Sequence, residues 1–478
     1  MAGETFLHGV EVIEIDAGPR PITTVRTSVI GIVGTAPNAD AAAFPLNTPV
    51  LVAGSRREAA KLDLLGTGEG TLPAAMDSIF DQAGAVIIVV RVEEGETEAE
   101  TLANVLGGVN ATTGQYEGVH AMVGAKSVVG FQPRILLAPG FTHTRVAGGV
   151  TAITMSAQGS GYTSPPAVAL TGGGGTGATA VAVLGTGADA GKVAKVTITN
   201  PGSGYTSAPT VAFSGGEGTG AAATASFGIV GNAVVSELIG IAERLRAVII
   251  ADGPNTVDAD AIAYAGDFGS PRVYLVDPKV LKTDSEGETV TEWSSPCVAG
   301  LLAKSDNERG FWWSPSNQNI NGITGTSRPI DFTLGDSSSR ANLLNEAKVA
   351  TIIREDGFRL WGNRTLSSDQ KWAFLCVRRT ADIINDSILV NHLWAVDRGI
   401  TKQYIEDVVE GVNAYLRHLV SIGAILGGTC WADPDVNTPD QIAQGKVYFD
   451  FDFTAVYPAE HIIMRSQLVN DYIVEIFE

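Results

Sequence analysis

Residues 446–458, KVYFDFDFTAVYP, alternate with the period of a β-strand. Val447, Phe449, Phe451 and Phe453 fall on one face, and Tyr448, Asp450, Asp452 and Thr454 on the other. This strand lies close to the end of the chain. A shorter alternating piece, Val10-Glu-Val-Ile-Glu-Ile15, stands near the beginning and is closed by Gly18-Pro19. A β segment at each end of a large chain has two uses. It can complete the chain's own sheet, or it can pair with the exposed edge of a neighbour.

At 478 residues the chain is too long for one ordinary core, and two to four domains are expected. Its 32 Lys and Arg stand against 52 Asp and Glu, a formal net charge of −20. Such a surface disfavours direct contact with nucleic acid and stable association with an anionic membrane. It leaves room for a protein partner with a basic patch. Cys297, Cys376 and Cys430 are far apart, with no CxxC, so a disulfide framework is not expected and a reducing cytosol is the default compartment. The first residues lack the pattern of a secretion signal, and no apolar run reaches membrane-spanning length.

Along the chain the pattern is α/β. Apolar runs at 25–35 and 85–92 read as buried strands, with a short strand at 49–54. Ser55 is placed to cap a helix over 56–62, with Glu58 at the capping-box position, and 72–82 is amphipathic. Residues 101–106 and 118–128 are helix candidates, and 133–140 reads as a strand and turn. Further on, helices are expected at 234–246, 256–265, 296–307, 341–354, 378–393 and 402–423, the last ended by Gly427-Gly428. Strands are expected at 246–251, 272–276, 311–317, 357–361 and 371–377.

Between 151 and 228 the composition changes: 17 glycines and only four charged residues, Asp189, Lys192, Lys195 and Glu217. Gly159-Ser-Gly-Tyr-Thr-Ser164 recurs as Gly202-Ser-Gly-Tyr-Thr-Ser207, and Gly175-Thr-Gly177 as Gly218-Thr-Gly220, both at an offset of 43. Strand-like pieces at 167–170 and 178–184 recur at 210–213 and 221–227. A duplicated β unit with glycine turns follows, each copy anchored by one tyrosine, Tyr162 or Tyr205.

Catalytic chemistry finds no support. No G-x-S-x-G or H-E-x-x-H occurs, and the six histidines are scattered. Residues 172–177 satisfy a loose G-x-G-x-x-G, but they open no helix and sit in no βαβ unit. The glycines at 66–70 precede a helix without a Lys-Ser/Thr pair, so no phosphate loop is present. Asp450 and Asp452 share a strand face, which reads as solvated or as pairing with a neighbouring subunit. No catalytic, cofactor-binding or metal-ligating residues are assigned, and no cofactor is expected.

The segments FLHGVEVIEIDAGPRPI (6–22), TSVIGIVGTAP (27–37) and FPLNTPV (44–50) resemble the opening of the tail sheath proteins of contractile-tailed phages, in the P2-like (myovirus) branch. VYFDFDFTAVYPAEHIIMRSQLV (447–469) resembles their ending. PRILLAPGFTH (133–143), AERLRAVIIADGPN (242–255), FWWSPSNQNINGI (311–323) and GFRLWGNRTLS (357–367) fit the same pattern, whereas the repeat does not.

The resemblance implies a non-enzymatic, multidomain α/β and α+β sheath subunit with open mixed sheets, terminal β-strand arms and an all-β insertion. The expected parts are an N-terminal arm (1–22), an outer α/β region (23–143 with 229–330), the insert (144–228), a core facing the tube (331–430), and a C-terminal linker and strand arm (431–478). Within the arms, 11–15 and 447–454 are the strands exchanged with neighbours, and 18–21 and 431–445 the hinges. The implied partners are neighbouring copies of the chain, the tail tube protein, and the baseplate and tail terminator proteins. Arg378, Arg379, Lys402 and Arg417 are candidate tube contacts. The subunits form hexameric rings in a virion tail sheath, assembled in the host cytoplasm. The alternatives are the sheath of a headless, pyocin-like or secretion-type injection device, and an extracellular glycan-binding or adhesive protein using Tyr162 and Tyr205. A metabolic α/β enzyme comes third.

Overall fold

The computed structural model describes residues 21–284, 286–470 and 472, so the alternating piece at 10–15 lies outside the described residues. The chain divides into two units. One comprises Met1–Thr27, Gly310–Trp312 and Arg379–Tyr457, and the other Ser28–Arg309, Trp313–Arg378 and Pro458–Glu478.

The larger unit is built on β1 (Val29–Thr35), whose seven residues are all buried. Its glycines are there for close approach: a Cβ at Gly34 would lie 2.3 Å from Thr71 Oγ1. The chain continues through β2 (Val50–Ala53), α1 (Leu72–Phe80), β3 (Val86–Val92), α2 (Glu98–Leu106), α3 (Ala121–Val129) and β4 (Ile135–Leu137). Two helix starts are fixed by side chains. Ser55 accepts from the Glu58 N–H at 3.3 Å, and Thr97 and Glu100 form a complete capping box on α2.

The insert follows as β5 (Val146–Ser160), β6 (Ala167–Thr171), β7 (Thr176–Leu184), β8 (Val193–Ser203), β9 (Thr210–Ser214) and β10 (Thr219–Val230). Their order in one sheet is β8-β7-β6-β9-β10-β5. The outer strands meet again, with Gly204 N–H donating to the Ala147 carbonyl at 3.1 Å and Tyr205 N–H to Gly148 at 2.8 Å. The sheet is therefore nearly closed on itself. The two copies are related by a local twofold: Ala169 pairs with Ala212, its own counterpart 43 residues on, and Thr210 with Thr171. The Tyr162 N–H to Gly191 bond repeats as Tyr205 to Gly148, and Thr163 to Gly216 as Thr206 to Gly173.

Each tyrosine is buried against a glycine of the other copy. A Cβ at Gly218 would lie 2.4 Å from Tyr162, and one at Gly175 2.5 Å from Tyr205. Val230 pairs with Val146, so the insert leaves and rejoins the chain at adjacent points.

The α/β pattern resumes with α4 (Ala233–Leu245), β11 (Val248–Asp252), α5 (Asp258–Ala265), β12 (Val273–Val276), α6 (Ser294–Glu308), β13 (Gln318–Asn319), α7 (Arg340–Glu346), β14 (Val349–Arg354) and β15 (Phe358–Trp361). The nine-stranded order is β13-β15-β14-β12-β11-β4-β1-β3-β2. The six strands from β14 to β3 are parallel, and the three outer strands antiparallel. Val29 and Val33 pack with α4 on one face, while Ile30 and Ile32 pack with α1 and α6 on the other. Burial on both faces explains why these strands read as continuous apolar runs.

The smaller unit holds most of α8 (Leu375–Asn391), with α9 (Lys402–Ser421) and the antiparallel pair β16 (Ile425–Trp431) and β17 (Asp450–Ala455). Phe449, Phe451 and Phe453 turn onto a core of Ile383, Ile384, Val412 and Leu416, as the alternation requires. Residues 23–27 lie along α8. Val25 N–H donates to Ser387 Oγ at 3.0 Å, and Asn391 Nδ2 to the Thr23 carbonyl at 2.8 Å.

Several expectations are corrected. The helix expected over 341–354 is α7 followed by strand β14. Lys348 adopts φ +65°, which ends the helical turn, and the β-branched run after it continues as strand. Leu343, which the helical spacing of 341–354 would turn inward with Leu344 and Ala347, is exposed. Residues 311–317 form turns, with only Gln318–Asn319 pairing, to β15. The strand expected over 371–377 is a 3₁₀ turn opened by Asp369, whose carboxylate accepts from the Lys371 N–H, followed by α8 from Leu375. Gly427-Gly428 does not stop a helix but lies within β16. There a Cβ at Gly428 would lie 2.7 Å from the Asp452 carbonyl, so glycine permits the strands' close approach.

Two consequences can be measured. Gly218→Ala forces a methyl into the Tyr162 ring and should cost the insert about 1–3 kcal/mol. Differential scanning calorimetry should show the insert melting earlier while the larger sheet's transition stays in place. Replacing 147–227 by a short linker should leave that transition within a few degrees of the full chain. Loss of soluble, folded protein would mean that the insert is part of the core.

Candidate functional site

In a doubly wound sheet the usual ligand crevice lies at the carboxyl ends of the strands, where the order reverses. Here that point lies between β1 and β4, and the protein's own side chains fill it. Thr71 N–H donates to the Thr35 carbonyl at 2.9 Å across the end of β1. Gly140, after β4, packs against Thr71 and Trp293. Trp293 stacks on His143 with ring centroids 4.3 Å apart, and Lys279 Nζ sits 3.5 Å from the indole centroid. Asp252 at the end of β11 is buried and spends both oxygens on Ser295, receiving its N–H at 2.8 Å and its hydroxyl at 2.6 Å. These groups are committed to one another across the end of the sheet.

Burial sets the ionisation of this cluster. It raises Asp252 to about 6, against the hydrogen bonds from Ser295 and the charge of Lys279. Burial, with Lys279 adding to it, lowers His143 to about 4. Burial also holds the Lys279 ammonium below its usual range. Among the described residues no group of three or more His, Cys, Asp or Glu is placed to hold a metal ion. The three cysteines are buried, and burial pushes the Cys297 thiol up to about 12 and Cys430 to about 11.

The smaller unit offers a different kind of surface. β16 and β17 form a sheet of two strands, so each has an outer edge without a strand partner among the described residues. Beside the pair lies an apolar pocket of about 290 Å³, lined by Ile388, Tyr404, Val412, Cys430, Phe449 and Phe451. Backbone donors and acceptors along an open edge, next to pockets for apolar side chains, are what an added strand uses.

The strand expected to leave the chain as an arm over 447–454 is thus at home in its own subunit, paired to β16. Its Asp452 carboxylate accepts from the Thr429 N–H at 2.8 Å. The stretch expected as a hinge over 431–445 closes this hairpin and contains a short helix, Pro439–Ala443. Sequence reading missed β16, because Gly-Gly after a helix resembles a stop. The signal available was the Thr-Cys-Trp run at 429–431, whose Cys430 faces the core.

Of the basic candidates, Arg379 is only 3% exposed and donates to the Thr27 carbonyl. Arg378 lies over Trp372 at 4.1 Å. Lys402 and Arg417 are on the surface, beside Glu406 and Glu410. Tyr162 and Tyr205 are buried, which removes them as a stacking platform for sugars.

The pKa shifts give a signed prediction. His143, depressed, contributes stability that is lost as pH falls from about 6.5 to about 4. Asp252, raised, contributes in the opposite sense, its penalty disappearing as pH falls from about 6 to about 4. Asp252→Asn removes the offset. Its melting temperature should therefore fall more steeply than wild type between pH 6.5 and 4 in thermal scans, and parallel curves would refute the assignment.

The chain is similar to known proteins over nearly its whole length. A family model described as phage tail sheath protein central domain matches 218–366, and one described as phage tail sheath C-terminal domain matches 367–469. A third, described as tail sheath protein Gp18 domain III N-terminal region, matches 27–92. These three leave 93–217, and with it most of the insert, unmatched. A putative prophage major tail sheath protein of Pseudomonas aeruginosa (strain UCBPP-PA14) is 39% identical over 99% of both chains. The tail sheath protein of Escherichia phage P2 is 32% identical, covering 98% of this chain and 97% of its own. In fold, the chain matches a sheath complex of an extracellular contractile injection system in the contracted state, with a TM-score of 0.60 at 14% identity over 99% of both chains. On these identities over nearly full length, the chain belongs to the phage tail sheath protein family, in its P2-like branch.

Proposed function

We propose that the chain is the repeating subunit of a contractile tail sheath, polymerising as stacked hexameric rings around a tail tube and driving the tube through a host envelope as it contracts. The observation that carries this reading is the β16–β17 hairpin, a two-stranded sheet whose outer edges have no strand partner among the described residues, with only Cys430 on β16 capped by Asn413. Open edges of this kind are blunted or covered in monomeric proteins, so they favour pairing with other copies. The segments before Thr23 and after Pro458 are the strands we assign to those edges, with β17 as part of the acceptor. Subunits joined by backbone pairing can rotate and move outward while staying linked, because chain-to-chain ladders tolerate hinged linkers.

The tube contact is assigned to the α8–α9 unit, with Lys402 and Arg417 as its available cations. Baseplate and tail terminator proteins are the partners at the two ends of the polymer. The virion tail is the location, with assembly in the host cytoplasm. The role is structural: energy is held in a metastable extended lattice and not supplied by hydrolysis. The insert projects away from the tube, since an inward orientation would collide with it.

Electron microscopy of the full-length protein, alone and with tube protein, tests this. Hollow tubes of sixfold helical symmetry are the expected result. Compact small oligomers under both conditions would rule the sheath reading out. Deleting 1–16 should leave the circular dichroism spectrum and melting temperature unchanged but abolish tubes, whereas normal tubes would exclude the N-terminal strand from assembly.

A further inference from the structure

The C-terminal segment has a root. Arg364 grips Glu460 with two parallel bonds, Nε to Oε1 at 2.7 Å and Nη2 to Oε2 at 2.5 Å. The guanidinium is itself held. Its carbon lies 5.3 Å from the centre of the Phe374 ring, and the Arg364 backbone forms an antiparallel bridge with Phe374. Beyond this point the chain changes character. Residues 461–470 have no regular secondary structure, and they make no hydrogen bond or ion pair to the other described residues. Yet Ile462, Ile463, Met464 and Leu468 are apolar and exposed, Met464 by 90% and Leu468 by 96%.

Single exposed apolar residues are ordinary, but four within seven positions of an extended segment mark a contact made elsewhere. The chain carries its own complement, the apolar pocket beside β17, so identical copies can supply both halves. A flexible segment must be ordered when it binds, and fixing its root lowers that cost.

We propose that the Arg364–Glu460 pair is a clamp that fixes where the C-terminal segment leaves its own subunit and so aims Ile462, Ile463, Met464 and Leu468 at a second copy of this chain. Arg364 and Glu460 are positioning residues: they touch no partner themselves. The inference rests on the sheath reading, and it predicts that assembly weakens with salt through a partly exposed ion pair.

The test has two arms. In the unassembled protein, limited proteolysis should cut the 456–470 stretch faster in Glu460→Gln than in wild type, with the melting temperature unchanged. The charge swap Arg364→Glu with Glu460→Arg should restore protection. In assembly, Glu460→Gln should raise the protein concentration needed for tubes about two- to fivefold at low salt, the range expected of an exposed pair, and should flatten its salt dependence. The swap should again restore both.

Faster cleavage with unchanged assembly would overturn the proposal while leaving the sheath reading intact. Equal cleavage would overturn the clamp outright. Failure of the wild-type chain to form tubes with tube protein would instead count against the sheath reading, and the clamp as an assembly device would fall with it. Cross-linking from Leu468→Cys into the tube protein and not into a second copy would overturn the choice of partner.

Discussion

Every β-strand at the edge of a sheet carries a row of backbone donors and acceptors that must be paired, hydrated or covered. This one requirement separates the three principal sheets of the molecule. The nine-stranded sheet runs out into antiparallel strands of four and two residues, which leave little edge to offer. The insert brings its first and last strands in the sheet order back together, so its edges largely meet each other. The β16–β17 pair gains no further strand among the described residues, and only Cys430 on its β16 edge is capped, by Asn413. Its two edges extend over seven and six residues, with an apolar pocket beside them.

The contrast divides the labour. The larger unit has both faces of its parallel strands covered and its crevice filled by Trp293, His143 and Lys279. The smaller unit leaves its two strands without further strand partners among the described residues, although Asn413 on α9 caps the Cys430 N–H and carbonyl at 2.8 and 2.9 Å. On the sheath reading proposed above, connections made through main chain would let neighbours move while the body of each subunit stays intact.

Much of the fold was legible because its signals are local. The buried runs at 29–35 and 86–92 are apolar on both faces, the Ser55 cap follows from a hydroxyl at the right spacing, and the 43-residue repeat is plain in the glycines. The face of Phe449, Phe451 and Phe453 was read correctly from alternation. What failed was non-local. The partner of that strand lies at Ile425–Trp431, where two glycines signal a helix end unless the close approach of Asp452 is known. At 341–354, apolar spacing of three and four persisted across Lys348, whose left-handed backbone divides helix from strand. The clamp between Arg364 and Glu460 joins positions 96 residues apart, and nothing local marks either as the other's partner.

The insert's internal twofold has a consequence for its origin. Because Ala169 pairs with Ala212, the seam between the two copies is self-complementary: either copy presents the surface that the other needs. A lone 43-residue unit would have the geometry of a homodimer. Fusing two in one chain turns a bimolecular encounter into an intramolecular one, at an effective concentration of about millimolar for a short connection. The module can thus form on every subunit whatever the abundance of the protein, and once duplicated its halves are free to diverge. The halves are not identical: Glu217 stands at φ +64° where the first copy has Gly174.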